Sequence, residues 1–298
     1  MLRANYLAVT EWLNFSHIAE FIKYSKCPGR LLGVRLLACF SLLAICPVYA
    51  QNDAVLPDHP PRTILTSAHR GEHLKHPENS LPAIQAAIDA GIDYVELDIR
   101  TSSDGYLVLM HDPTVNRMTD GKGAIKDMTL AQIKKLDLGA RFSGKFPSLR
   151  VPTFDEALEL AKGRIGIYVD TKSATPKDLI AAIERHDMGD HVMFWSENVD
   201  FLKQITELRP SWKLMPEAYN PEHVHQLVTD LHPYVLGFDQ RDFNAPTILA
   251  AYAAHAGIFV DLNSPQDWED GIAAGVVGIQ TDWPVQLMEY LRARGYHK

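Results

Sequence analysis

Short apolar strands alternate with amphipathic helices along residues 64–294, and this alternation limits the possible folds more than any other feature of the sequence. The strands are predicted at residues 64–68, 94–99, 165–170, 191–195, 212–217, 234–239, 258–261 and 276–280. The helices are predicted at residues 80–90, 153–161, 176–185, 197–208, 222–231, 246–255, 266–274 and 284–294. Eight strand-then-helix units within one domain's length predict an α/β protein with a (β/α)₈ TIM barrel. An extended excursion at residues 106–110 predicts a small insertion after the second strand, and an open doubly wound sheet is the alternative fold.

Residues 1–50 are predicted to be an N-terminal extension that ends in a secretory signal peptide. Arg30 and Arg35 supply positive charge, residues 36–46 form an apolar run, and Ala50 closes a stretch with small residues at the cleavage positions. The apolar run is short for a membrane span, which needs about 20 residues, although an uncleaved anchor remains the alternative. We therefore expect cleavage after Ala50, export to the periplasm or the medium, and no stable membrane insertion afterwards. A translation start downstream of Met1 would explain the long stretch before the signal.

The expected mature segment is a single domain of residues 51–298, with 24 basic and 35 acidic side chains and a net charge of −11. This acidic balance argues against nucleic acid or an anionic membrane as a partner. All three cysteines precede residue 51, so the segment can form neither a disulfide nor a thiolate metal site. We expect a small-molecule substrate, and the sequence leaves the oligomeric state open.

Polar residues follow the predicted strands, at the end of a parallel barrel where catalytic residues lie. Barrel interiors are apolar, so packing does not explain such a ring. Its members are His69, Arg70, Glu96, Asp98, His111, Asp112, Asp170, Lys172, Glu217, Asp239, Asn263 and Asp282.

Three carboxylates in this ring predict a cation site. Glu96 and Asp98 are two residues apart on a strand, so their side chains point to the same face, and Asp170 ends the next barrel strand. Like charges held together repel unless a cation or a proton neutralises them, and oxygen ligands suit Mg²⁺ or Ca²⁺. The alternative is a set of ion pairs with Arg70, Arg100 and Lys172.

Two histidines and an arginine in the ring suit acid–base chemistry on a phosphate group. His69 ends the first strand and His111 ends the excursion after the second. One imidazole can take a proton from an attacking oxygen while the other gives a proton to the leaving oxygen. Arg70 offers a planar, permanently charged group that fits phosphate oxygens.

The motifs that contain these residues closely resemble the signature of the glycerophosphodiester phosphodiesterase family. In chain order they are His69-Arg70-Gly71, Pro77-Glu78-Asn79-Ser80, Glu96-x-Asp98, His111-Asp112-Pro113, Arg117-x-Thr119-x-Gly121-x-Gly123, Val151-Pro152-Thr153, Asp170-x-Lys172 and Gly278-x-x-Thr281-Asp282-x-Pro284. The resemblance spans nearly the whole of residues 51–298, in the family's order.

The resemblance implies metal-dependent hydrolysis of glycerophosphodiesters to sn-glycerol 3-phosphate and an alcohol. It implies one divalent cation, Ca²⁺ or Mg²⁺, and acid–base catalysis by histidine, with attack either by water or by the substrate's glycerol hydroxyl. The implied roles are metal binding by Glu96, Asp98 and Asp170, catalysis by His69 and His111, phosphate contact by Arg70 and Lys172, and support from Glu78 and Asn79. Glu217 and Asn263, at later strand ends, are expected to contact substrate.

Two departures from the family pattern leave alternatives open. Asp170 stands where the family usually has Glu, which puts the cation preference in question. Val260 stands where the family often has Trp, so the preferred headgroup is also in question. Trp283, Trp195 and Phe142 are candidates for its place, although packing in the core or at the rim of the pocket is the favoured explanation for each of them. The alternatives are a lysophospholipase D-like or sphingomyelinase D-like phosphodiesterase, a barrel that binds phosphorylated ligands without catalysis, and a purely structural barrel.

Overall fold

The computed structural model describes residues 63–142 and 145–298, and it confirms the predicted barrel. The extension and signal peptide predicted at residues 1–50 lie outside the described residues. The strands are β1 (Leu65–Ala68), β2 (Tyr94–Thr101), β3 (Leu107–Leu109), β4 (Gly166–Thr171), β5 (Val192–Ser196), β6 (Lys213–Pro216), β7 (Leu236–Phe238), β8 (Ile258–Asp261) and β9 (Gly278–Thr281). The α-helices are α1 (Leu81–Ala90), α2 (Leu130–Ile133), α3 (Phe154–Ala161), α4 (Pro176–Arg185), α5 (Val199–Leu208), α6 (Pro221–Leu231), α7 (Ala245–Ala253), α8 (Pro265–Ala273) and α9 (Pro284–Arg294).

The sheet has the order β6-β5-β4-β2-β1-β9-β8-β7, and all of these strands run parallel. Its two outer strands meet through a parallel bridge between Glu217 and Gly237, where the Ala218 amide donates to the Gly237 carbonyl at 2.9 Å. Each barrel strand therefore lies beside the next barrel strand in the chain, which is the arrangement of a nearly closed barrel and not of an open doubly wound sheet.

The helices begin where the local sequence supplies a cap. The Thr175 side chain accepts a hydrogen bond from the Asp178 amide, and Pro176 occupies the first turn of α4, where its missing N–H costs nothing. Asn220 caps α6 and Ser264 caps α8 in the same way. These caps fix where each helix starts after its strand, and so fix the length of the loops that carry the polar ring.

Two apolar clusters fill the barrel and its surroundings. The larger packs the helices against the outer face of the sheet, with Phe154, Phe194 and Trp268 among its buried side chains. The smaller consists of residues on the other face of the strands: Tyr94, Tyr168, Met193, Met215, Val235 and Phe259. Because these side chains fill the interior, the polar residues at the carboxyl ends of the strands lie above a packed apolar layer.

The predicted insertion after the second strand forms a small subdomain of its own. β3 pairs antiparallel with the end of β2, and residues 102–142 and 145–152 pack around a third apolar cluster that includes Val108, Val115 and Ile133. None of the helices within residues 63–142 and 145–298 has the length and apolar character needed to cross a membrane.

Candidate active site

The strand register brings His69 together with Asp282 at the carboxyl ends of β1 and β9. Ala68 is the register partner of Thr281, so the residue that follows each strand meets the other, and His69 Nδ1 lies 2.7 Å from Asp282 Oδ1. Burial lowers the pKa of His69, but the hydrogen bond to Asp282 and the charge of Glu96 outweigh burial and raise the pKa to about 9. The same hydrogen bond lowers the pKa of Asp282. His69 is therefore held in a fixed orientation by a charged partner.

The three carboxylates predicted to bind a cation lie together. Asp98 and Asp170 are register partners on β2 and β4, and Glu96 precedes Asp98 on the same face. One oxygen from each carboxylate lies within 4.8 Å of the others. Glu96 and Asp98 are only 2% and 1% exposed, so water screens their repulsion poorly. Burial, followed by the charge of Asp98, raises the pKa of Glu96 well above its usual range.

Part of this negative charge is neutralised by ion pairs, as the alternative interpretation requires. Lys172 Nζ lies 2.7 Å from Asp170 Oδ2 and 3.2 Å from Asp98 Oδ1, and Arg70 Nε lies 3.4 Å from Asp98 Oδ2. Arg100 instead donates to the carbonyl of His111. These ion pairs do not satisfy Glu96, because its Oε1 atom is buried without a hydrogen-bond partner. A buried, unpartnered carboxylate oxygen beside two further carboxylates fits a hard divalent cation.

The loop after β1 holds Arg70, Glu78 and Asn79 against this cluster. Arg70 has a left-handed backbone (φ 55°), and its amide donates to Glu96 Oε2 at 2.7 Å. Gly71 follows with φ 81°, and a Cβ atom there would lie 2.7 Å from the Cβ atom of Ala83, so only glycine fits this turn. Asn79 donates to Asp98 Oδ2 at 2.6 Å and accepts from the Asp98 amide at 3.0 Å. Asn79 therefore orients a predicted metal ligand.

His111 lies in the insertion, just after β3, and is held from two sides. Arg100 Nε donates to the His111 carbonyl at 3.0 Å, and His111 Nδ1 lies 2.9 Å from Asp112 Oδ1. Hydrogen bonding by Arg117 lowers the pKa of Asp112, so Asp112 is an ionised acceptor for the imidazole. Both predicted catalytic histidines thus have a carboxylate on Nδ1, which leaves Nε2 for chemistry.

A cavity of about 160 Å³ opens beside the carboxylates, and its lining includes His69, Glu96, Asp170, Trp195 and Glu217. Glu217 Oε2 accepts from Trp195 Nε1 at 2.7 Å, and Glu217 Oε1 accepts from the Asp239 amide at 2.7 Å. Burial outweighs these hydrogen bonds and raises the pKa of Glu217 to about 7. The structure therefore places both Glu217, which was predicted to contact substrate, and Trp195 in the lining of the cavity that the carboxylate cluster borders.

Asn263 lies next to this cavity and not in its lining. Its Oδ1 atom accepts from the Asp282 amide at 2.7 Å and from Thr281 Oγ1 at 3.1 Å, and its Nδ2 atom donates to Asp261 at 3.2 Å. Its observed contacts support Asp282, the partner of His69, and its predicted contact with substrate stays a prediction.

Sequence reasoning gave no role to Asp282, Asp112 or Arg117, although each one stands in a motif quoted above. Asp282 contacts His69 only because β9 closes the barrel against β1, and adjacency of the first and last strands is the signal that predicts this pair. Asp261 also lines the cavity, although the sequence did not mark it as a functional residue.

A (β/α)₈ barrel with an acidic triad, two carboxylate-held histidines and an arginine at its strand ends is the architecture of a phosphodiesterase. Comparison with known proteins agrees. The family model described as "Glycerophosphoryl diester phosphodiesterase family" matches residues 69–285, and the chain therefore belongs to that family. As the sequence predicted, the protein is an enzyme of the phosphodiesterase class.

Two curated relatives match most of the chain. A glycerophosphodiester phosphodiesterase of Caldanaerobacter subterraneus subsp. tengcongensis is 33% identical over 247 residues, which cover 78% of this chain and 99% of the relative. A glycerophosphodiester phosphodiesterase of Bacillus subtilis is 29% identical over 287 residues, covering 84% of this chain and 95% of the relative.

Solved structures match the fold. The crystal structure of a glycerophosphodiester phosphodiesterase from Agrobacterium tumefaciens has a TM-score of 0.69 and 27% identity, covering 76% of this chain and 100% of that chain. A phosphodiesterase of Oleispira antarctica, solved in complex with the product sn-glycerol-3-phosphate, has a TM-score of 0.72 at 24% identity, covering 77% of this chain and 97% of that chain.

Proposed function

We propose that the protein hydrolyses glycerophosphodiesters to sn-glycerol 3-phosphate and an alcohol, with one divalent cation, Ca²⁺ or Mg²⁺, as its cofactor. The observation that carries the proposal is the largely buried Glu96–Asp98–Asp170 cluster, two members of which line a cavity of about 160 Å³ together with His69. The names of the relatives described above support the same substrate class.

The three carboxylates of the cluster would hold the cation. A bound divalent cation supplies positive charge that neutralises phosphate oxygens and helps to orient the substrate. Asp170 reaches less far than glutamate, and Lys172 Nζ lies 2.7 Å from it. As a proposed ligand it should still contribute to metal affinity. We expect Asp170→Asn to weaken Ca²⁺ or Mg²⁺ binding at least about tenfold, since even outer partners of metal ligands contribute that much.

The residues around the cluster would carry out binding and proton transfer. Arg70 makes only long contacts with carboxylates, at 3.4 and 3.5 Å from its Nη1 atom to Glu78 and at 3.4 Å from its Nε atom to Asp98. Its guanidinium group therefore has no tight partner, and its Nη donors can turn to phosphate oxygens. Lys172 adds a second positive charge. One of His69 and His111 takes the proton of the attacking oxygen, from water or from the glycerol hydroxyl of the substrate, and the other protonates the alcohol oxygen as its bond to phosphorus breaks. Where the glycerol hydroxyl attacks, water then opens the cyclic phosphate to give glycerol 3-phosphate. Glu217 and Asn263 complete the substrate side of the site.

A lipid substrate is the second candidate, since sphingomyelinase D-like and lysophospholipase D-like enzymes would use the same polar set. Five carboxylic acid residues line the cavity, which suits a polar, water-soluble diester better than an acyl chain. The buried apolar residues of the insertion, which include Val108, Val115 and Ile133, pack against one another and are not exposed to such a chain.

The test is turnover of glycerophosphocholine and glycerophosphoethanolamine by the purified protein, with chelator and with added Ca²⁺ or Mg²⁺. We expect release of glycerol 3-phosphate only with metal. His69→Ala and His111→Ala should each lower kcat/KM at least about 100-fold, while His225→Ala, at an exposed position of α6, should leave it unchanged.

Two results would contradict the proposal. Release of choline from lysophosphatidylcholine without turnover of the water-soluble diesters would favour the lipid candidate. Binding of glycerophosphodiesters without turnover under any metal would favour a barrel that binds phosphorylated ligands.

We also propose that the signal peptide is removed after Ala50 and that the enzyme acts in the periplasm or the medium. The charge pattern of residues 30–50 supports this location. Mass spectrometry of the natural protein should give Gln51 as its first residue, and peptides from residues 1–22 would contradict the proposal.

A further inference from the structure

The guanidinium group of Arg117 joins two carboxylates from different segments at the rim of the site. Its Nε and Nη2 atoms donate to the two oxygens of Asp112, both at 2.9 Å. Its Nη1 and Nη2 atoms donate to the two oxygens of Glu78, at 2.9 and 2.6 Å. Glu78 belongs to the loop after β1 and Asp112 to the insertion, so a single side chain ties the two segments together.

All five N–H groups of Arg117 have partners. Four of them are the bonds to the two carboxylates, and the fifth, on Nη1, is directed at Met118 Sδ at 3.1 Å. Arg117 therefore has no donor left for a phosphate oxygen, and its charge is matched by two carboxylates. Arg70 differs in its donors, because its Nε atom has no hydrogen-bond partner. These contacts exclude phosphate binding as the task of Arg117 in this arrangement.

The contact that matters for chemistry runs from Arg117 through Asp112 to His111. Asp112 Oδ1 faces both Arg117 Nη2 and His111 Nδ1, each at 2.9 Å. Because an ionised carboxylate is only an acceptor, the proton on the neutral imidazole must sit on Nδ1, and Nε2 is left to exchange a proton. Two parallel N–H···O bonds fix the plane of a carboxylate as well as its position.

Through Glu78, the guanidinium group of Arg117 is also linked to Arg70, the arginine predicted to bind phosphate. Glu78 is 12% exposed in its side chain, and its two oxygens lie 3.4 and 3.5 Å from Arg70 Nη1. Arg117 thus fixes the spacing between the loop that carries Arg70 and the segment that carries His111.

We propose that Arg117 is a positioning residue, which through Asp112 fixes the tautomer and the orientation of His111. The catalytic part of this inference rests on the proposed acid–base role of His111. The part that concerns the tautomer rests only on the contacts described above.

The first test measures the tautomer and needs no turnover. Long-range ¹H–¹⁵N spectra of the full protein at alkaline pH, with His111 assigned from His111→Gln, report which ring nitrogen carries the proton. We expect Nδ1–H in the wild type and a mixture of tautomers in Arg117→Ala and Asp112→Asn. Arg150→Ala is the matched control, since the Arg150 side chain lies on the same insertion and donates to the carbonyls of Lys135 and Leu136. A wild-type ring with its proton on Nε2, or a ring unaffected by Arg117→Ala, would overturn the proposal.

The second test is a double-mutant cycle on the turnover of glycerophosphocholine with saturating metal. Arg117→Ala should lower kcat by about 10- to 100-fold, as expected for a misplaced catalytic group, and should change KM by less than about threefold. Arg117→Lys should recover only part of this loss, because an ammonium group cannot form the parallel pair. In an Asp112→Asn background, the further loss from Arg117→Ala should be less than about threefold.

The outcomes separate this inference from the proposed function. An equal loss from Arg117→Ala in both backgrounds, or a rise in KM alone, would overturn the positioning role while leaving the phosphodiesterase activity in place. A wild-type protein without turnover would remove the proposed function, and the tautomer measurement would still decide whether Arg117 holds His111 through Asp112.

Discussion

Glu217 shows how burial and hydrogen bonding compete at one carboxyl group of the cavity. The residue is 6% exposed, and each of its oxygens accepts one hydrogen bond, from Trp195 and from the Asp239 amide. Burial is the larger effect and raises the pKa of Glu217 from 4.5 to about 7. The folded protein therefore binds this proton more tightly than the unfolded chain does.

A raised pKa gives a definite sign to the effect of pH on stability. The contribution of Glu217 is fully present below about pH 4.5, and it is lost as pH rises through the folded-state value of about 7. Glu217→Gln is neutral at every pH, so its free energy of unfolding, relative to wild type, should rise between pH 5 and pH 8. The upper limit of this change is on the order of 3 kcal/mol.

Urea unfolding of both proteins at the two pH values measures this difference. If the two proteins differed in their free energy of unfolding by the same amount at both pH values, the prediction would be contradicted. The loss of a hydrogen-bond acceptor in Glu217→Gln is the same at both pH values, so it does not affect this comparison. Glu207→Gln, at an exposed position of α5, controls for the loss of a carboxylate as such.

The sequence predicted individual site residues where spacing along one strand was sufficient. Glu96 and Asp98 share a face because strands alternate, and the structure places them side by side. The contact between His69 and Asp282 was not predicted, because it depends on the register between the first and last strands. The paired hydrogen bonds from Arg117 to Asp112 were not predicted for a related reason, since they depend on how an irregular insertion folds back on the loop after β1.

At the scale of elements, α3 begins with a capping box that also anchors the insertion. Thr153 Oγ1 accepts from the Glu156 amide at 3.1 Å, and the Thr153 amide donates to Glu156 Oε2 at 2.8 Å. Thr153 also forms a bridge with Val108 in β3. The cap therefore sets the point at which the chain leaves the insertion and returns to the barrel.

Thr153→Ala should destabilise the protein by about 1 kcal/mol, because the Glu156 amide loses its acceptor. For a domain of this size that corresponds to a melting temperature lower by about 2–4 °C. Thr153→Ser keeps the hydroxyl group and should retain most of the stability.

Thermal unfolding followed by circular dichroism checks this prediction. Thr229→Ala, within α6, is the comparison, because its hydroxyl group only bonds back to the His225 carbonyl. Equal losses at positions 153 and 229 would show that the cap has no special effect.

Helix limits were predicted well where cap and proline coincide. The limits predicted for α4, residues 176–185, are those observed, since Thr175 and Pro176 mark its start. Residues 234–239 were predicted as a strand, but β7 covers only Leu236–Phe238. The apolar pattern runs on past the ladder there, because β6 and β7 meet at a bridge and not along a full ladder.

At the scale of the whole molecule, barrel closure is what creates the site. Its residues come from positions as far apart as His69 and Asp282, and the parallel strands deliver them to the same end. The register of the neighbouring strands β2 and β4 adds Glu96, Asp98 and Asp170 as one cluster at the same end. The folded barrel therefore holds three carboxylates that repel one another at the place where a divalent cation would bind.

This repulsion predicts that Glu96→Gln has opposite effects on stability without and with metal. In chelator, the buried Glu96 carboxyl is a cost to folding whether it is ionised beside Asp98 or forced to take a proton, and its Oε1 atom has no partner. Glutamine removes that cost and still offers the Arg70 amide an oxygen. Glu96→Gln should therefore melt above wild type in chelator.

Saturating Ca²⁺ or Mg²⁺ should reverse the order, because a ligand that binds only the folded state stabilises it by about 2.7 kcal/mol at 100 times its Kd. Wild type should then gain roughly 5–10 °C in melting temperature, and Glu96→Gln should gain much less because it lacks one carboxylate ligand. Asp89→Asn, on the outer helix α1, should follow wild type in both conditions. A wild-type melting temperature that neither chelator nor metal changes would instead mean that Lys172 and Arg70 neutralise the cluster on their own, as they would in a purely structural barrel.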